Sequence, residues 1–202
     1  MSTPSAYQWV TTTTDYDADP AKFPAYLRFD GVDDALQTGN IDFTGTDKMT
    51  VWAGVTALDM GRTSGAVNQL LYSNSDSLNG FGLRTPISSG AITFASSGAI
   101  GIAEPSEVGL GDAPRSMVIC GVADQSAPLS QIRRDGVLRK SSTAAQGASG
   151  GYGNRPMWIG SQSGASRFFN GRLYSLIVRG AESSLSQIEA TEAYIKQKMR
   201  LS

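Results

Sequence analysis

Short segments of alternating apolar and polar residues, found from residue 26 to residue 178, constrain the fold of this chain more than any other feature. A period of two places successive side chains on opposite faces of a β-strand. Dipeptides that accept the positive φ of tight turns separate the segments, and Asp135-Gly136 is the clearest hairpin signal. The alternating segments are Tyr26–Phe29, Thr50–Thr56, Gln69–Tyr72, Phe81–Arg84, Ala91–Phe94, Met117–Val122, Gln131–Arg134, Val137–Lys140, Met157–Gly160 and Leu173–Val178.

The spacing of these segments predicts an all-β fold. Strands of about four to eight residues, with no helical period between them, are typical of an antiparallel two-sheet β-sandwich. The run Met117–Cys120 is apolar on both faces, which predicts a strand in the centre of a sheet. The other dipeptides predicted to form turns are Asp30-Gly31, Asn79-Gly80, Ser89-Gly90 and Asn170-Gly171.

Only the C-terminus changes period. Ser186 and Glu189 have the spacing of a capping box, and Leu185 is placed for a hydrophobic staple. The spacing predicts a helix over 186–199 that lies across the sandwich. Its apolar face is formed by Ile188, Ile195 and Met199.

The N-terminal 24 residues differ in composition from the rest. They contain a run of four threonines, three aspartates and three prolines, which predicts an extended arm or linker over 1–24. The sandwich with its C-terminal helix is then expected to occupy residues 25–202. Within it, the Gly- and Ser-rich stretch Gln146–Asn154 is expected to form a mobile loop.

Composition excludes several classes of function. The chain contains no His, which removes His-based catalytic triads and most zinc sites. Its single cysteine, Cys120, has no partner for an internal disulfide and is expected to be a buried thiol. With 17 basic and 18 acidic side chains the net charge is −1, so no nucleic-acid partner is expected.

The hydropathy pattern predicts no membrane span, because no run approaches about 18 apolar residues. The opening residues Met1–Ala6 lack the basic region and the apolar stretch of a secretory signal. We therefore expect synthesis and folding in a cytoplasm.

Five motifs follow one another in a fixed order. They are Phe29–Asp34, Ile132–Leu138, Trp158–Gly160, Phe168–Leu173 and the ending Arg172–Gly180 before an Ala- and Glu-rich helix. Together they resemble the laminin-G-like or concanavalin A-like jelly-roll family over residues 25–199. The ending resembles the version of that fold found in tailed-phage and prophage virion proteins.

The resemblance implies an accessory protein of the virion, made in the host cytoplasm. We expect a receptor-binding, fibre or capsid-decoration module that binds a glycan or another surface polymer, with capsid or tail proteins as partners and a homo-oligomer as the working unit. The alternative is a purely structural decoration or fibre knob that docks through residues 1–24. Family members often have acidic residues after the last Gly-Arg-Leu, and some bind calcium there, whereas this chain has Tyr174 and Ser175.

Catalysis is not expected, although a glycan hydrolase remains a third alternative because glucanases share the jelly roll. A retaining glycosidase needs two carboxylates about 5 Å apart on neighbouring positions of one sheet. The chain has five glutamates, and none lies in a predicted strand: they are Glu104, Glu107, Glu182, Glu189 and Glu192.

Three acidic residues, Asp30, Asp33 and Asp34, form the densest acidic group. They could supply oxygen ligands to Ca²⁺, with Asp42 and Asp47 completing the site if their loop folds back. They could instead build a turn through hydrogen bonds from side chain to backbone, which is the commoner role. No other cofactor is expected.

Aromatic and polar side chains suited to sugar rings are the candidate ligand contacts. Tyr152 lies among glycines where little is expected to bury it, and Trp52 is expected on an outer sheet surface because it alternates with Val51 and Val55. The predicted ligand-binding residues are Tyr152, Asn154, Arg155, Tyr72, Asn74, Trp52 and Trp158.

One predicted hairpin carries four positive charges, from Arg133, Arg134, Arg139 and Lys140. They could contact phosphates on a surface polymer or capsid. Charges on an exposed strand also block pairing between sheet edges, and that role is commoner.

Overall fold

A computed structural model describes residues 25–59, 68–75, 78–87 and 90–201, which contain thirteen strands and one helix. The strands are β1 (Leu27–Asp30), β2 (Leu36–Asp42), β3 (Lys48–Ala57), β4 (Gln69–Ser75), β5 (Leu78–Ile87), β6 (Ala91–Ser97), β7 (Ile102–Ala103), β8 (Ser106–Glu107), β9 (Arg115–Asp124), β10 (Leu129–Arg134), β11 (Val137–Ser142), β12 (Asn154–Ile159) and β13 (Asn170–Arg179). The helix α1 is Leu185–Met199.

The strands form two antiparallel sheets that pack face to face, so the predicted sandwich is confirmed. The six-stranded sheet has the order β1-β13-β3-β9-β10-β11. The seven-stranded sheet has the order β2-β12-β4-β5-β6-β7, and β8 also pairs with β6. The predicted central strand, β9, lies between β3 and β10, and the predicted hairpin at Asp135-Gly136 joins β10 to β11.

The sequence pattern does not predict three of the strands, and two of the predicted turns are wrong. The edge strand β2 has the sequence LQTGNID, which lacks a regular apolar alternation, and β7 and β8 have only two residues each. Asn79-Gly80 lies inside β5 and Asn170-Gly171 opens β13. Asn79 nevertheless keeps a φ of 49°, so its signal for positive φ is real although no chain reversal follows it.

A glycine lets the two sheets approach closely in the core. A Cβ built on Gly121 of β9 would lie 2.3 Å from the ring of Phe94, which projects from β6 of the opposite sheet. Phe94 has no exposed surface and belongs to the main apolar cluster between the sheets. The absence of a side chain at Gly121 therefore makes room for an aromatic ring at the centre of the sandwich.

The helix begins one residue before the predicted range, and its predicted cap is wrong. Ser184 is the N-cap and forms the capping box with Gln187, whereas Leu185 is 58% exposed and makes no staple. The predicted apolar face is confirmed, because Ile188, Ile195 and Met199 are buried. They pack on the outer face of the six-stranded sheet and form a second apolar cluster with Trp52, Val118 and Cys120.

Two ion pairs neutralise most of the basic hairpin. Arg133 forms a bidentate pair with Glu192 of α1, at 3.0 and 3.2 Å, and both side chains are buried. Arg134 forms a second bidentate pair with Glu107 of β8, and Arg139 approaches the same carboxylate at 3.5 Å. These arginines therefore bind elements of the protein itself, which leaves little charge for the predicted phosphate contact.

The Gly- and Ser-rich stretch 146–154 is anchored rather than loose. Gln146 is fully buried, donates to the carbonyls of Asp124 and Leu129, and accepts from the hydroxyl of Ser96. Residues 1–24, predicted as an arm, lie outside the described residues. No helix in the described part of the chain is long and apolar enough to cross a membrane.

A partly buried ion pair at the turn between β9 and β10 predicts a pH-dependent contribution to stability. Burial opposes ionisation of Asp124, but hydrogen bonds from the Ala127 N–H, from Lys48 (2.6 Å) and from Ser126 outweigh it and lower the pKa of Asp124. A lowered pKa stabilises the fold at pH values above the carboxyl's ordinary pKa, and this gain is lost as the pH falls through the folded-state value. We expect Asp124→Asn to lower the free energy of unfolding by about 1 kcal/mol at pH 7.

Urea denaturation at pH 7 and at pH 3 measures this effect. The difference between wild type and Asp124→Asn is expected to shrink at the lower pH. Asp47→Asn is the control, because Asp47 lies 3.7 Å from the same lysine and its half-exposed carboxylate contributes little. An unchanged difference at both pH values would contradict the assignment.

Candidate functional site

The two outer faces of the sandwich differ in what covers them. Helix α1 covers the outer face of the six-stranded sheet, where Trp52 is only 2% exposed. On the seven-stranded sheet, Tyr72 of β4 and Trp158 of β12 keep part of their surface in solvent. Both alternate with core residues, so their side chains stand on the outer face.

Cross-strand pairing brings Tyr72 and Trp158 together. They are direct register partners between β4 and β12. Gln37 of β2 is the partner of Trp158 on its other side, and Gly82 of β5 is the partner of Tyr72. We call Gln37, Trp158, Tyr72 and Gly82 the aromatic row, which places two adjacent rings between an exposed amide and a residue with no side chain.

The turn after β12 holds the Trp158 ring in place. A Cβ built on Gly164 would lie 2.4 Å from the Trp158 ring, so the turn that follows β12 packs directly on the indole. Tyr72 lies beside Gly82, where a built Cβ would be 3.8 Å from its ring. Preorganised aromatic rings of this kind bind at a low cost in side-chain entropy.

Charged and amide groups flank the row on β5. Arg84, two residues beyond Gly82 on the same face, forms an ion pair with Glu104 and donates to Oε1 of Gln69 at 3.3 Å. Gln69 is itself fully buried. Arg84 therefore places a guanidinium next to the rings, and the buried Gln69 orients it.

Two predicted ligand residues, Asn154 and Arg155, lie at the other end of β12. Asn154 is exposed on the same face as Trp158. Arg155 instead lies on the core-facing side of the strand with Met157, and its side chain extends over one end of the sandwich. There its Nε lies 2.8 Å from the position of a Cβ on Gly153, which is also 3.1 Å from the backbone oxygen of Asn79. We call Asn79, Gly150, Gly153 and Arg155 the sandwich end.

The prediction that little buries Tyr152 is wrong. Its ring is fully buried and packs edge-on against Phe81 at a centroid distance of 5.8 Å, and its hydroxyl lies 2.9 Å from Oγ of Ser96. Burial raises the pKa of Tyr152, so the phenol stays neutral. The neighbouring glycines therefore allow the Tyr152 ring to enter the core, and they do not expose it to a ligand.

Trp52 is also buried, contrary to the prediction that it lies on an exposed outer surface. The sequence places it correctly on the face opposite Val51 and Val55, but α1 packs over that face. The backbone of Asn74 lies in β4, and its side chain lies outside the described residues. Cys120 beside Trp52 is a buried thiol as predicted, and burial raises its pKa.

The acidic group forms the turn that the commoner interpretation predicts. The backbone N–H of Asp30 donates to Asp34 at 2.8 Å, and that of Val32 donates to Asp30 at 2.7 Å. The three carboxylates also offer oxygens within 4.8 Å of one another, and burial together with repulsion from Asp30 and Asp33 raises the pKa of Asp34.

The predicted completion of this group by Asp42 and Asp47 is wrong. Asp42 ends β2, so a whole strand separates it from Asp34. Its carboxylate accepts from the N–H and the hydroxyl of Thr44, and these bonds lower its pKa. Asp47 instead lies beside Lys48.

Most glutamates are engaged in structural contacts. Glu107 lies in β8, contrary to the prediction that no glutamate belongs to a strand. Glu104, Glu107 and Glu192 each form an ion pair with an arginine. Glu182 and Glu189 are exposed at the helix end of the molecule, far in sequence from the aromatic row.

An apolar groove of about 390 Å³ opens where the described chain begins. β1 pairs with β13 only as far as Leu173, so the remaining edge of β13 contributes to the groove. The lining residues are Ala25, Tyr26, Leu27, Ile159, Leu173, Tyr174, Ser175, Leu176 and Lys198.

Sequence reasoning missed Gln37, Gly82 and Arg84. β2 carries no strand signal, so Gln37 had no predicted position, and the partners of Tyr72 depend on register. The one usable signal is the alternation Gly82-Leu83-Arg84, which places Gly82 and Arg84 on one face of a strand.

No family model matches the chain, and no curated protein matches it. Among solved structures, the SAP-like pentraxin of Limulus polyphemus superposes with a TM-score of 0.62 at 14% identity, over 82% of this chain and 80% of the pentraxin. The CBM40 of the Ruminococcus gnavus IT-sialidase, solved bound to α2,3-sialyllactose, superposes with a TM-score of 0.57 at 14% identity, over 78% of this chain and 98% of that domain.

Domains LG4-5 of the mouse laminin α1 chain superpose with a TM-score of 0.57 at 16% identity. This match covers 78% of the present chain but 41% of the laminin fragment. The likenesses concern backbone architecture, because the identities are low. They establish that the chain has the jelly-roll sandwich fold that pentraxins, CBM40 and laminin LG domains share.

Proposed function

We propose that this protein is a non-catalytic glycan-binding module, and that the aromatic row is its binding surface. The observation that carries the proposal is the pair of partly exposed rings, Tyr72 and Trp158, placed side by side on the sheet face that α1 leaves uncovered. The pyranose ring presents an apolar C–H face that stacks on an aromatic ring. The CBM40 among the structural neighbours supports the proposal, since it was solved with a bound oligosaccharide.

The flanking groups determine how such a sugar is held. Gln37 and Arg84 offer amide and guanidinium donors for hydroxyl groups at either side of the rings. An open face with few polar contacts gives weak affinity for each site. Repetition of the module on a particle then raises the overall affinity, because linked sites make later binding steps intramolecular.

We further propose that the particle is a phage virion, with the module as a receptor-binding, fibre or decoration protein. Support comes from the sequence Arg172–Gly180 before the C-terminal helix, which resembles the ending of such proteins. The role we propose is non-catalytic. A retaining glycosidase needs two carboxylates about 5 Å apart at the sugar, whereas three of the five glutamates form ion pairs with arginines.

A glycan and cell-wall-polymer array, run with Ca²⁺ and with EDTA, tests the proposal. We expect binding under both conditions, because stacking on Tyr72 and Trp158 needs no metal. Binding that is lost in EDTA would instead assign recognition to the Asp30, Asp33 and Asp34 group as a calcium site. A blank array under both conditions would contradict glycan binding.

A structural role is the second candidate, and the apolar groove beside Ala25 favours it. The groove lies where residues 1–24 join the sandwich, so docking through those residues would act next to it. An arm exchanged between neighbours would make the protein a homo-oligomer. Sedimentation equilibrium at micromolar concentration measures this: a stable oligomer supports the exchange, and a monomer contradicts it.

A further inference from the structure

We propose that the sandwich end binds an acidic group, so that the glycan recognised by this protein carries a carboxylate or another anionic oxygen. The inference rests on the proposed function and concerns a second contact of the same ligand. Two observations carry it: an unpaired guanidinium at Arg155, and an unsatisfied amide at Asn79 beside it.

Arg155 lacks the ion pair that three other arginines of this protein form. Arg84, Arg133 and Arg134 each form an ion pair with a glutamate. Within the described residues, Nε of Arg155 is buried without an acceptor, and no hydrogen bond or ion pair holds the rest of its guanidinium. A buried donor without an acceptor is costly, and an anion bound to the same guanidinium would offset that cost.

The nearest acidic strand neighbour does not satisfy Arg155. Asp42 is the register partner of Asn154, one residue away. Its Oδ1 is occupied by the N–H of Thr44 at 2.9 Å and by the Thr44 hydroxyl at 2.6 Å. The carboxylate is thereby directed at its own loop, and the guanidinium is left for an external anion.

Asn79 provides the second polar contact. Its Oδ1 is buried and accepts no hydrogen bond, and its backbone keeps the positive φ of 49°. Gly150 and Gly153 lie against Asn79 and Arg155, with built Cβ positions 3.0 Å from Nδ2 of Asn79 and 2.8 Å from Nε of Arg155. Side chains at these glycines would collide with both polar groups, so only glycine fits beside them.

The chemistry of the two groups defines the ligand. A guanidinium is a fork of donors that matches a carboxylate, and the amide group of Asn79 beside it is suited to a hydroxyl. An acidic sugar, such as a hexuronate, carries both groups on one ring. Arg155 precedes Trp158 by three residues, or about 10 Å along the strand, and its side chain extends over the end of the sandwich, so one glycan chain contacts both by passing around that end.

The test compares a hexuronate-containing oligosaccharide with its carboxyl-reduced neutral counterpart by isothermal titration. We expect the wild type to bind the acidic form about tenfold more tightly at low salt, with the preference decreasing as NaCl screens the pair. Arg155→Gln is expected to bring the two affinities within about twofold of each other. Lys140→Gln, which removes an exposed positive charge on β11 of the other sheet, is the control and should keep the preference.

Asn79→Asp is the second variant, and it keeps the proposal testable if Arg155→Gln does not fold. Aspartate has the same shape, tolerates positive φ, and places a repelling carboxylate beside the anion, so it should reduce or reverse the preference. If the wild type binds both oligosaccharides equally, the acidic subsite is wrong while the proposed function stands. If neither oligosaccharide, nor any other glycan, binds, the proposed function itself fails.

Discussion

Replacing Glu192 with alanine is expected to lower the free energy of unfolding by about 3–5 kcal/mol. Glu192 lies on the buried face of α1, between Ile188 and Ile195, and its carboxylate holds Arg133 through two hydrogen bonds. Those bonds raise the pKa of Arg133, so the guanidinium stays charged. Removing the carboxylate leaves that buried charge without its hydrogen-bonded anion, which is the most destabilising way to break such a pair.

Equilibrium urea denaturation of the full chain measures the loss. Glu189→Ala is the matched control, because Glu189 lies 3.9 Å from Arg133 but is 56% exposed in its side chain, and little change is expected. The double variant Arg133→Met with Glu192→Leu removes both charges and should recover most of the stability. A Glu192→Ala variant as stable as the wild type would show that the pair does not hold α1 on the sheet.

Replacing Trp158 with alanine is expected to weaken glycan binding by about 10- to 100-fold. The indole is the larger of the two rings in the aromatic row, and truncating a central aromatic residue typically costs about 2 kcal/mol or more. Tyr72→Ala is expected to weaken binding less, because its ring is smaller. Tyr72→Phe keeps the stacking surface and should retain most of the affinity.

Titration of a glycan identified on the array measures these effects. Tyr194→Ala is the control, since Tyr194 is 49% exposed but lies on α1, away from the seven-stranded sheet. Near-ultraviolet circular dichroism confirms that the variants remain folded. Equal affinity of Trp158→Ala and the wild type would remove the aromatic row from the binding surface.

The sequence predicts the fold well because alternation and turn chemistry act locally. Each of the ten alternating segments lies in a strand to within one residue, and Asp135-Gly136 makes the hairpin that its turn chemistry requires. β2 is missed because its two core-packing residues, Leu36 and Ile41, are five positions apart, which does not fit a period of two. The helix is found from its period, but its cap depends on which of Ser184 and Ser186 adopts extended backbone.

The candidate site is less predictable because exposure is decided by distant elements. Alternation places Trp52 on an outer face, yet only the packing of α1 shows that this face is covered. Tyr152 is surrounded by glycines in sequence, but its ring enters the core beside Phe81. The pairing of Tyr72 with Trp158 joins residues 86 positions apart through strand register, which no local pattern encodes.

The indole N–H signals in a ¹H–¹⁵N NMR spectrum test the central claim most directly. The chain has three tryptophans, at positions 9, 52 and 158, and Trp→Phe variants assign their three signals. On titration with the glycan, the Trp158 signal is expected to shift progressively while that of Trp52, buried under α1, stays in place. A glycan that binds without moving the Trp158 signal would contradict a binding surface on the seven-stranded sheet.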